Sequence, residues 1–121
     1  MKPAFRLTHP EPTEADVLAS VLQYLELVQR QGRVAWYARM NVGAGKLSRA
    51  DGTAGQWMRF GFPGMPDVLG QLRDGRILAV EVKRPSGRVR PEQEAFLARV
   101  LRHQGVAGVV RSVDDVERLI A

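Results

Sequence analysis

The most constraining stretch of this sequence is a nearly unbroken apolar run, Ile77 to Val82, which contains one acid, Glu81. Apolar residues at almost every position, and not at alternate ones, are typical of a strand that is buried on both faces. Such a strand needs helices on each side of its sheet. An acid inside it costs free energy unless the carboxylate is paired or binds a cation. The run therefore predicts an α/β fold in which the carboxylate of Glu81 lies in the core and is paired or binds a cation.

The rest of the chain supplies the other elements of such a fold. Apolar residues at helical spacing follow an N-cap at Thr13 and predict a first helix that ends near Gly32. The same reasoning predicts strands at Val34 to Met40, Asp67 to Arg73, Arg76 to Lys83 and Val106 to Val110, a helix from Pro91 to Gly105, and a last helix capped by Ser112. A meander followed by a crossover helix and one more strand predicts a mixed β-sheet flanked by helices, with the core order α-β-β-β-α-β.

Two segments are expected to lie outside this core. Residues 1–12 hold three prolines and no periodicity, so we expect an extended N-terminal arm before a single domain that covers residues 13–121. Residues 41–64 are rich in glycine and poor in aliphatic side chains. We interpret them as a long loop, with one strand near Trp57 to Phe62 as an open alternative.

Composition narrows the functional classes. The chain has no cysteine, which excludes disulfides and thiolate metal sites and suits a reducing compartment, the cytoplasm of a bacterium or of a phage-infected host. Neither a signal-peptide pattern nor an apolar run of membrane-spanning length is present. The formal net charge is +5, and a basic surplus on a small domain favours a polyanionic partner, most often nucleic acid.

The turn between two of the predicted strands decides where a second acid points. The chain reverses at Asp74-Gly75, and a two-residue turn there would face Asp67 away from Glu81. A three-residue loop that ends in Gly75, in the left-handed conformation, would place Asp67 directly across from Glu81. We predict the three-residue loop, which brings the two Cβ atoms to roughly 5 Å.

Two carboxylates at that separation repel each other unless a cation lies between them. Hard oxygen ligands suit Mg²⁺ or Mn²⁺, which lowers the pKa of bound water and stabilises charge on a phosphoryl oxygen. Lys83 is two residues after Glu81, so both share one strand face. The competing interpretation is a solvated edge strand with Asp67 as an ordinary turn residue, and the apolar run argues against it.

The ordered motifs resemble those of a known nuclease family. Pro66-Asp67 followed by Glu81-Val82-Lys83 resembles the PD-(D/E)xK signature. The wider set resembles the VRR-NUC family of virus-type replication-repair nucleases: Thr13-Glu14, Arg39-Met40-Asn41-Val42-Gly43, Gly64-Met65-Pro66-Asp67-Val68-Leu69-Gly70, Gly75-Arg76, Glu81-Val82-Lys83-Arg84 and Pro91-Glu92-Gln93. The resemblance implies a restriction-endonuclease-like core, Mg²⁺ or Mn²⁺ dependence, action on branched DNA, and 5′-phosphate and 3′-hydroxyl products.

The resemblance also implies a role for each residue of the strand pair. Asp67 and Glu81 correspond to the acids that bind the metal, and the backbone carbonyl of Val82 corresponds to a further ligand. Lys83 corresponds to the catalytic lysine.

Two helical residues complete the implied site. Glu14 corresponds to the acid that completes the metal shell, often through water. Asp16 competes for that role, and a first-turn glutamate that stabilises the helix dipole is the simpler alternative. Gln93 corresponds to a catalytic-site glutamine, and its simpler alternative is a hydrogen bond at the start of its helix.

Basic residues outside the strand pair are candidates for DNA binding. These are Lys46, Arg49 and Arg59 in the glycine-rich segment, and Arg84, Arg88 and Arg90 in the connector before the second helix. A solvated connector is the alternative for the last three. The chain resembles the standalone, phage-type members of the family, which resemble Holliday-junction resolvases and tend to be homodimers. The favoured function is therefore a homodimeric, structure-selective DNA endonuclease of the Holliday-junction resolvase type. A non-catalytic basic DNA-binding module and a nuclease directed at flaps or nicks stay open.

Overall fold

The computed structural model describes residues 10–40, 43–48 and 54–121 of the protein. Within them the elements follow in the order α1 (Glu14–Arg30), β1 (Val34–Arg39), β2 (Gly43–Ser48), β3 (Ala54–Phe60), β4 (Val68–Leu72), β5 (Ile77–Val82), α2 (Pro91–Arg102), β6 (Val106–Val110) and α3 (Val113–Ile120). Strands β1, β4, β5 and β6 form a sheet in that order, in which only the β5–β6 pair is parallel. The predicted mixed sheet and its α-β-β-β-α-β core order are confirmed.

The central strand β5 is buried on both faces from Leu78 to Val82, as its apolar run predicted, whereas Ile77 at its start is exposed. On one face Leu78, Val80 and Val82 pack in the same core cluster as the buried residues of α1 and α3. On the other face Ala79 packs with Leu97 of α2. Successive side chains of a strand point to opposite sides. Glu81 therefore shares the α2 side with Ala79.

The turn between β4 and β5 sets the register that brings the two acids together. Val68 pairs with Val80, and the amide of Leu72 donates to the Arg76 carbonyl at 2.8 Å, which leaves a three-residue loop. Gly75 ends this loop with φ +96°, in the region that favours glycine. The predicted three-residue loop is confirmed.

The interpretation of residues 41–64 as mostly loop was wrong. The structure contains two strands there, Gly43–Ser48 and Ala54–Phe60, and they pair antiparallel with Gly43 opposite Phe60. The alternative of a strand near Trp57 to Phe62 is confirmed from Trp57 to Phe60, but the strand begins earlier, at Ala54. Backbone hydrogen bonds define this pair, and a glycine-rich strand carries little of the side-chain alternation from which strands are recognised.

The N-terminal segment is described only from residue 10. Residues 10–12 belong to no helix or strand, and the remainder of the expected arm lies outside the described residues. In the part of the chain that the structure covers, no helix is both long enough and apolar enough to cross a membrane.

Candidate active site

Two acids from neighbouring strands meet at the end of the β4–β5 pair. Asp67 directly precedes β4, and continuing the observed register by one position places it opposite Glu81. Its Oδ2 accepts a hydrogen bond from the backbone amide of Val82 at 2.8 Å. Glu81 is only 2% exposed and is the one charged residue in the buried core of the described chain. The strand geometry thus presents two carboxyl groups to one small volume.

The surroundings of Glu81 disfavour its charged form. Burial raises its pKa to about 8, and the negative charge of the neighbouring Asp67 acts in the same direction. Lys83 opposes this rise, and the more distant carboxylate of Glu14 adds to it. A perturbed acid of this kind, produced by desolvation together with a like charge, is characteristic of functional sites.

Lys83 lies between Glu81 of the sheet and Glu14 of α1. Its Nζ is 3.7 Å from the Oε1 of Glu81 and 3.7 Å from the Oε1 of Glu14. The lysine side chain is 12% exposed. The ammonium group is therefore held at the edge of the carboxyl pair, where it can still reach a ligand from solvent.

The two acids in the first turn of α1 make different contacts. Asp16 and Thr13 form a capping box, in which the Asp16 amide donates to the Thr13 hydroxyl at 3.1 Å and the Asp16 Oδ2 accepts from the Thr13 amide at 3.0 Å. The Asp16 carboxylate is thus occupied at the helix end. Glu14 is the acid that the structure brings to Lys83.

Gln93 contacts both the start of its helix and Glu81. Its Oε1 accepts a hydrogen bond from the backbone amide of Arg90 at 3.0 Å, which caps α2. Its Nε2 donates to the Oε1 of Glu81 at 2.9 Å. Only one orientation of the amide satisfies both partners, because its oxygen must face the N–H donor and its nitrogen the carboxyl group. The start of α2 thereby fixes one oxygen of Glu81.

Sequence reasoning assigned no role to Gly64, which positions the segment before Asp67. Its φ is +83°, and a Cβ there would collide with the carbonyl oxygen of Glu92. The missing side chain lets this segment lie directly against the first turn of α2, close to Gln93. The sequence signal for this role is the glycine that directly precedes Met65, Pro66 and Asp67.

A groove of about 410 Å³ opens beside Lys83. It is lined by Thr13, Glu14, Lys83, Arg84, Gly87, Arg88 and Arg90. Three of the six basic residues expected to bind DNA therefore share one surface with the lysine. Of the other three, Lys46 and Arg59 are described only as backbone positions in β2 and β3, and Arg49 lies outside the described residues.

Arg111, which sequence reasoning missed, holds the wall of this groove. We call residues Arg84 to Gly87 the basic turn; it is closed by a hydrogen bond from the Gly87 amide to the Arg84 carbonyl at 2.9 Å. The Nη1 of Arg111 donates to the carbonyls of Arg84 at 2.8 Å, Pro85 at 3.2 Å and Gly87 at 2.8 Å. In the sequence, an arginine that follows an apolar strand shows no residue spacing from which such contacts could be predicted.

The donor set fits a hard divalent cation with incomplete side-chain ligation. Among the described residues, no group of three or more His, Cys, Asp or Glu side chains is arranged to hold a metal ion. Asp67 and Glu81 supply two carboxyl groups, and burial, followed by the charge of Asp67, raises the pKa of Glu81 and so disfavours its ionised form without a bound cation. Backbone carbonyls and water, both common ligands of Mg²⁺, would have to supply the remainder.

Comparison with known proteins identifies the family. The model of the VRR-NUC domain family matches residues 16–114. Neither the curated proteins nor the solved structures gave a match. The matched span covers most of the chain and includes Asp67, Glu81, Lys83 and Gln93. This chain belongs to the VRR-NUC family, a family of nucleases.

Proposed function

We propose that the protein is a metal-dependent, structure-selective DNA endonuclease of the Holliday-junction resolvase type. The observation that carries this proposal is the carboxyl pair of Asp67 and the buried Glu81, with Lys83 at its edge beside a basic groove. Phosphodiester hydrolysis needs charge stabilisation at phosphorus and a surface that holds a polyanion. The site and the groove offer these together.

The residues proposed to hold the ion, Mg²⁺ or Mn²⁺, are those that surround the carboxyl pair. They are Asp67, Glu81 and the backbone carbonyl of Val82, with Glu14 acting through water. The chemistry that a divalent cation supplies at such a site is a lowered pKa of bound water and stabilisation of charge on a phosphoryl oxygen. Removal of the ion should abolish cleavage.

The chain's own groups position the reaction. Lys83 places an ammonium group where a phosphate that enters from the groove would meet it, and its charge would stabilise the transition state. The amide of Val82 holds the Asp67 carboxylate at 2.8 Å, and Gln93 holds Glu81 at 2.9 Å. Because these bonds fix both acids before any ligand arrives, little reorganisation is needed when the substrate binds.

The groove is proposed to bind the DNA backbone. Its cations, Lys83, Arg84, Arg88 and Arg90, outnumber its one acid, Glu14. Contacts of this kind hold the duplex without reading its sequence. Selectivity would then come from the shape of a branched substrate.

Symmetric cutting of a four-way junction would require two such sites. A homodimer related by a two-fold axis provides them, and the segment 41–64 is proposed to contact DNA or the partner subunit. Sedimentation of the purified chain should give a mass of twice 13.4 kDa. A monomer at the protein concentration used for cleavage would contradict the resolvase assignment, but it would not contradict nuclease activity.

Cleavage of labelled DNA tests the proposal. The protein is incubated with Mn²⁺ and a four-way junction, a flap, a nicked duplex or a linear duplex, and Lys83→Ala and Arg76→Ala are compared with the wild type. We expect junction cleavage that chelation stops and that Lys83→Ala lowers about 100-fold or more, with DNA binding retained. Arg76→Ala, at the far end of β5, is the matched control. Binding without cleavage of any substrate would favour a non-catalytic module, and preference for flaps or nicks would change the substrate.

A further inference from the structure

The basic turn, Arg84 to Gly87, has two chemically different sides. The carbonyls of Arg84, Pro85 and Gly87 face the Arg111 guanidinium. The other side presents donors, the backbone amide and the hydroxyl of Ser86. Backbone N–H groups and serine hydroxyls beside arginines are common partners of DNA phosphates.

A carboxylate from the N-terminal segment occupies that donor side. The Oε1 of Glu11 accepts from the Ser86 amide at 2.5 Å, and its Oε2 accepts from the Ser86 Oγ at 2.9 Å. These bonds, with the charge of Arg84, lower the pKa of Glu11, so the group is an anion at neutral pH. The bidentate contact of two anionic oxygens with one residue has the form of a phosphate contact.

We propose that Ser86 is a phosphate-binding subsite for the DNA backbone and that Glu11 occupies it as an internal anionic competitor. Glu11 is fully exposed and precedes α1 in a stretch without helix or strand, so a polyanion can displace it. The subsite adjoins the groove through Arg84 and Gly87. Loss of the Glu11 carboxylate should therefore strengthen DNA binding at this point of the surface.

The inference rests on the proposed function, since it names a contact of the same DNA, and affinity for a four-way junction in EDTA tests it without cleavage. We expect Glu11→Ala to bind about three- to tenfold more tightly than the wild type and to steepen the salt dependence by about one counterion. Glu117→Ala removes an equal charge from an exposed position on α3 and should change neither. Ser86→Ala should remove most of the gain made by Glu11→Ala.

Three results would overturn the subsite: no gain in Glu11→Ala, an equal gain in Glu117→Ala, or a gain that persists unchanged in the Ser86→Ala background. The first result would mean that Glu11 only attaches the N-terminal segment to the basic turn. The other two would mean that any gain in affinity comes from the change in net charge.

Titration of ¹⁵N-labelled Glu11→Ala with inorganic phosphate gives a readout that does not depend on DNA. We expect the Ser86 amide signal to shift, and to shift less in the wild type. A wild type that fails to bind any DNA would end the proposed function, whereas this titration would still decide whether Ser86 binds an anion. No shift at Ser86 in either protein would end the inference alone.

Discussion

The two ends of the β4–β5 pair carry the same kinds of side chain in opposite electrostatic situations. At the turn, the Asp74 Oδ2 lies 2.8 Å from the Arg76 Nε, with both side chains about half exposed. Hydrogen bonding from the Arg76 backbone amide holds the pKa of Asp74 below its usual value. At the other end, burial raises the pKa of Glu81 to about 8 although Lys83 lies 3.7 Å away.

The difference shows that solvation decides what a charged pair does here, and proximity alone does not. At the turn, water and backbone donors stabilise the carboxylate of Asp74. The pair with Arg76 therefore contributes to the conformation of the loop and to its solubility. In the core, Glu81 is cut off from water and lies next to Asp67, so its charge is unfavourable until further positive charge arrives. An arrangement that opposes stability in this way is expected at a site that selection retains for binding or catalysis.

Neutralising one carboxylate at each end gives the largest expected contrast. Glu81→Gln keeps the shape of the side chain and can still accept from Gln93, but it removes a proposed metal ligand. We expect the cleavage rate to fall by at least about 100-fold, because the lost interaction acts at the reacting phosphate. Asp74→Asn should leave the rate unchanged. Single-turnover cleavage of the junction measures both, and a Glu81→Gln rate near that of the wild type would contradict the site.

The glycines at the two ends give the next contrast. Gly64→Ala combines a positive φ with a collision against the Glu92 carbonyl, so we expect a loss of about 3 kcal/mol in the free energy of unfolding and a loss of activity. Gly75→Ala adds only the backbone strain, since the nearest atom to its Cβ is 4.0 Å away, and should cost about 1 kcal/mol. Urea unfolding measures both values. Equal losses would contradict the expected collision between the Cβ added by Gly64→Ala and the Glu92 carbonyl.

Much of the sheet and its acids could be predicted because local rules agreed there. The apolar run predicted burial of β5, and Gly75 selected the loop length from which the pairing of Asp67 with Glu81 followed. Each of these rests on neighbouring residues or on one turn. The same holds for the start of α1, where the cap at Thr13 is confirmed.

The missed features depend on contacts that no sequence period records. Arg111 directly follows β6 and reaches the basic turn, which lies more than twenty residues away along the chain. The bond between Glu11 and Ser86 is longer-range still. The pairing of β2 with β3 escaped because backbone hydrogen bonds need no side-chain pattern. Gln93 had two sequence interpretations, and only the three-dimensional arrangement showed that one amide contacts both the start of α2 and Glu81.

The pH dependence of stability should separate the two carboxylates. Between about pH 4.5 and 8, unfolded chains carry an ionised Glu81 while the folded protein keeps it protonated. The folded state therefore binds more protons, and the free energy of unfolding falls as the pH rises through this window, then levels off. Asp74 has a lowered pKa, so its contribution is present above its usual value and is lost only at more acid pH.

Urea unfolding at several pH values in EDTA measures this difference. Glu81→Gln should flatten the profile between pH 4.5 and 8, whereas Asp74→Asn should leave the slope there unchanged. Saturating Mn²⁺ should also reduce the fall in the wild type, because an ion that binds only the folded protein favours the ionised carboxylate. A slope that Glu81→Gln does not alter would assign the effect to another group.

The smallest expected effect tests the solvated end directly. A double-mutant cycle of Asp74→Ala and Arg76→Ala measures the coupling between the two side chains, which lie 2.8 Å apart and remain half exposed. Exposed pairs gain little because water screens their attraction and ordering the side chains opposes it. We expect the coupling to shift the melting temperature by no more than about 2 °C and to vanish in 1 M salt. A larger, salt-resistant coupling would mean that the turn stores electrostatic energy as the core does, and the contrast between the two ends would then come from Asp67 beside Glu81 and not from solvation.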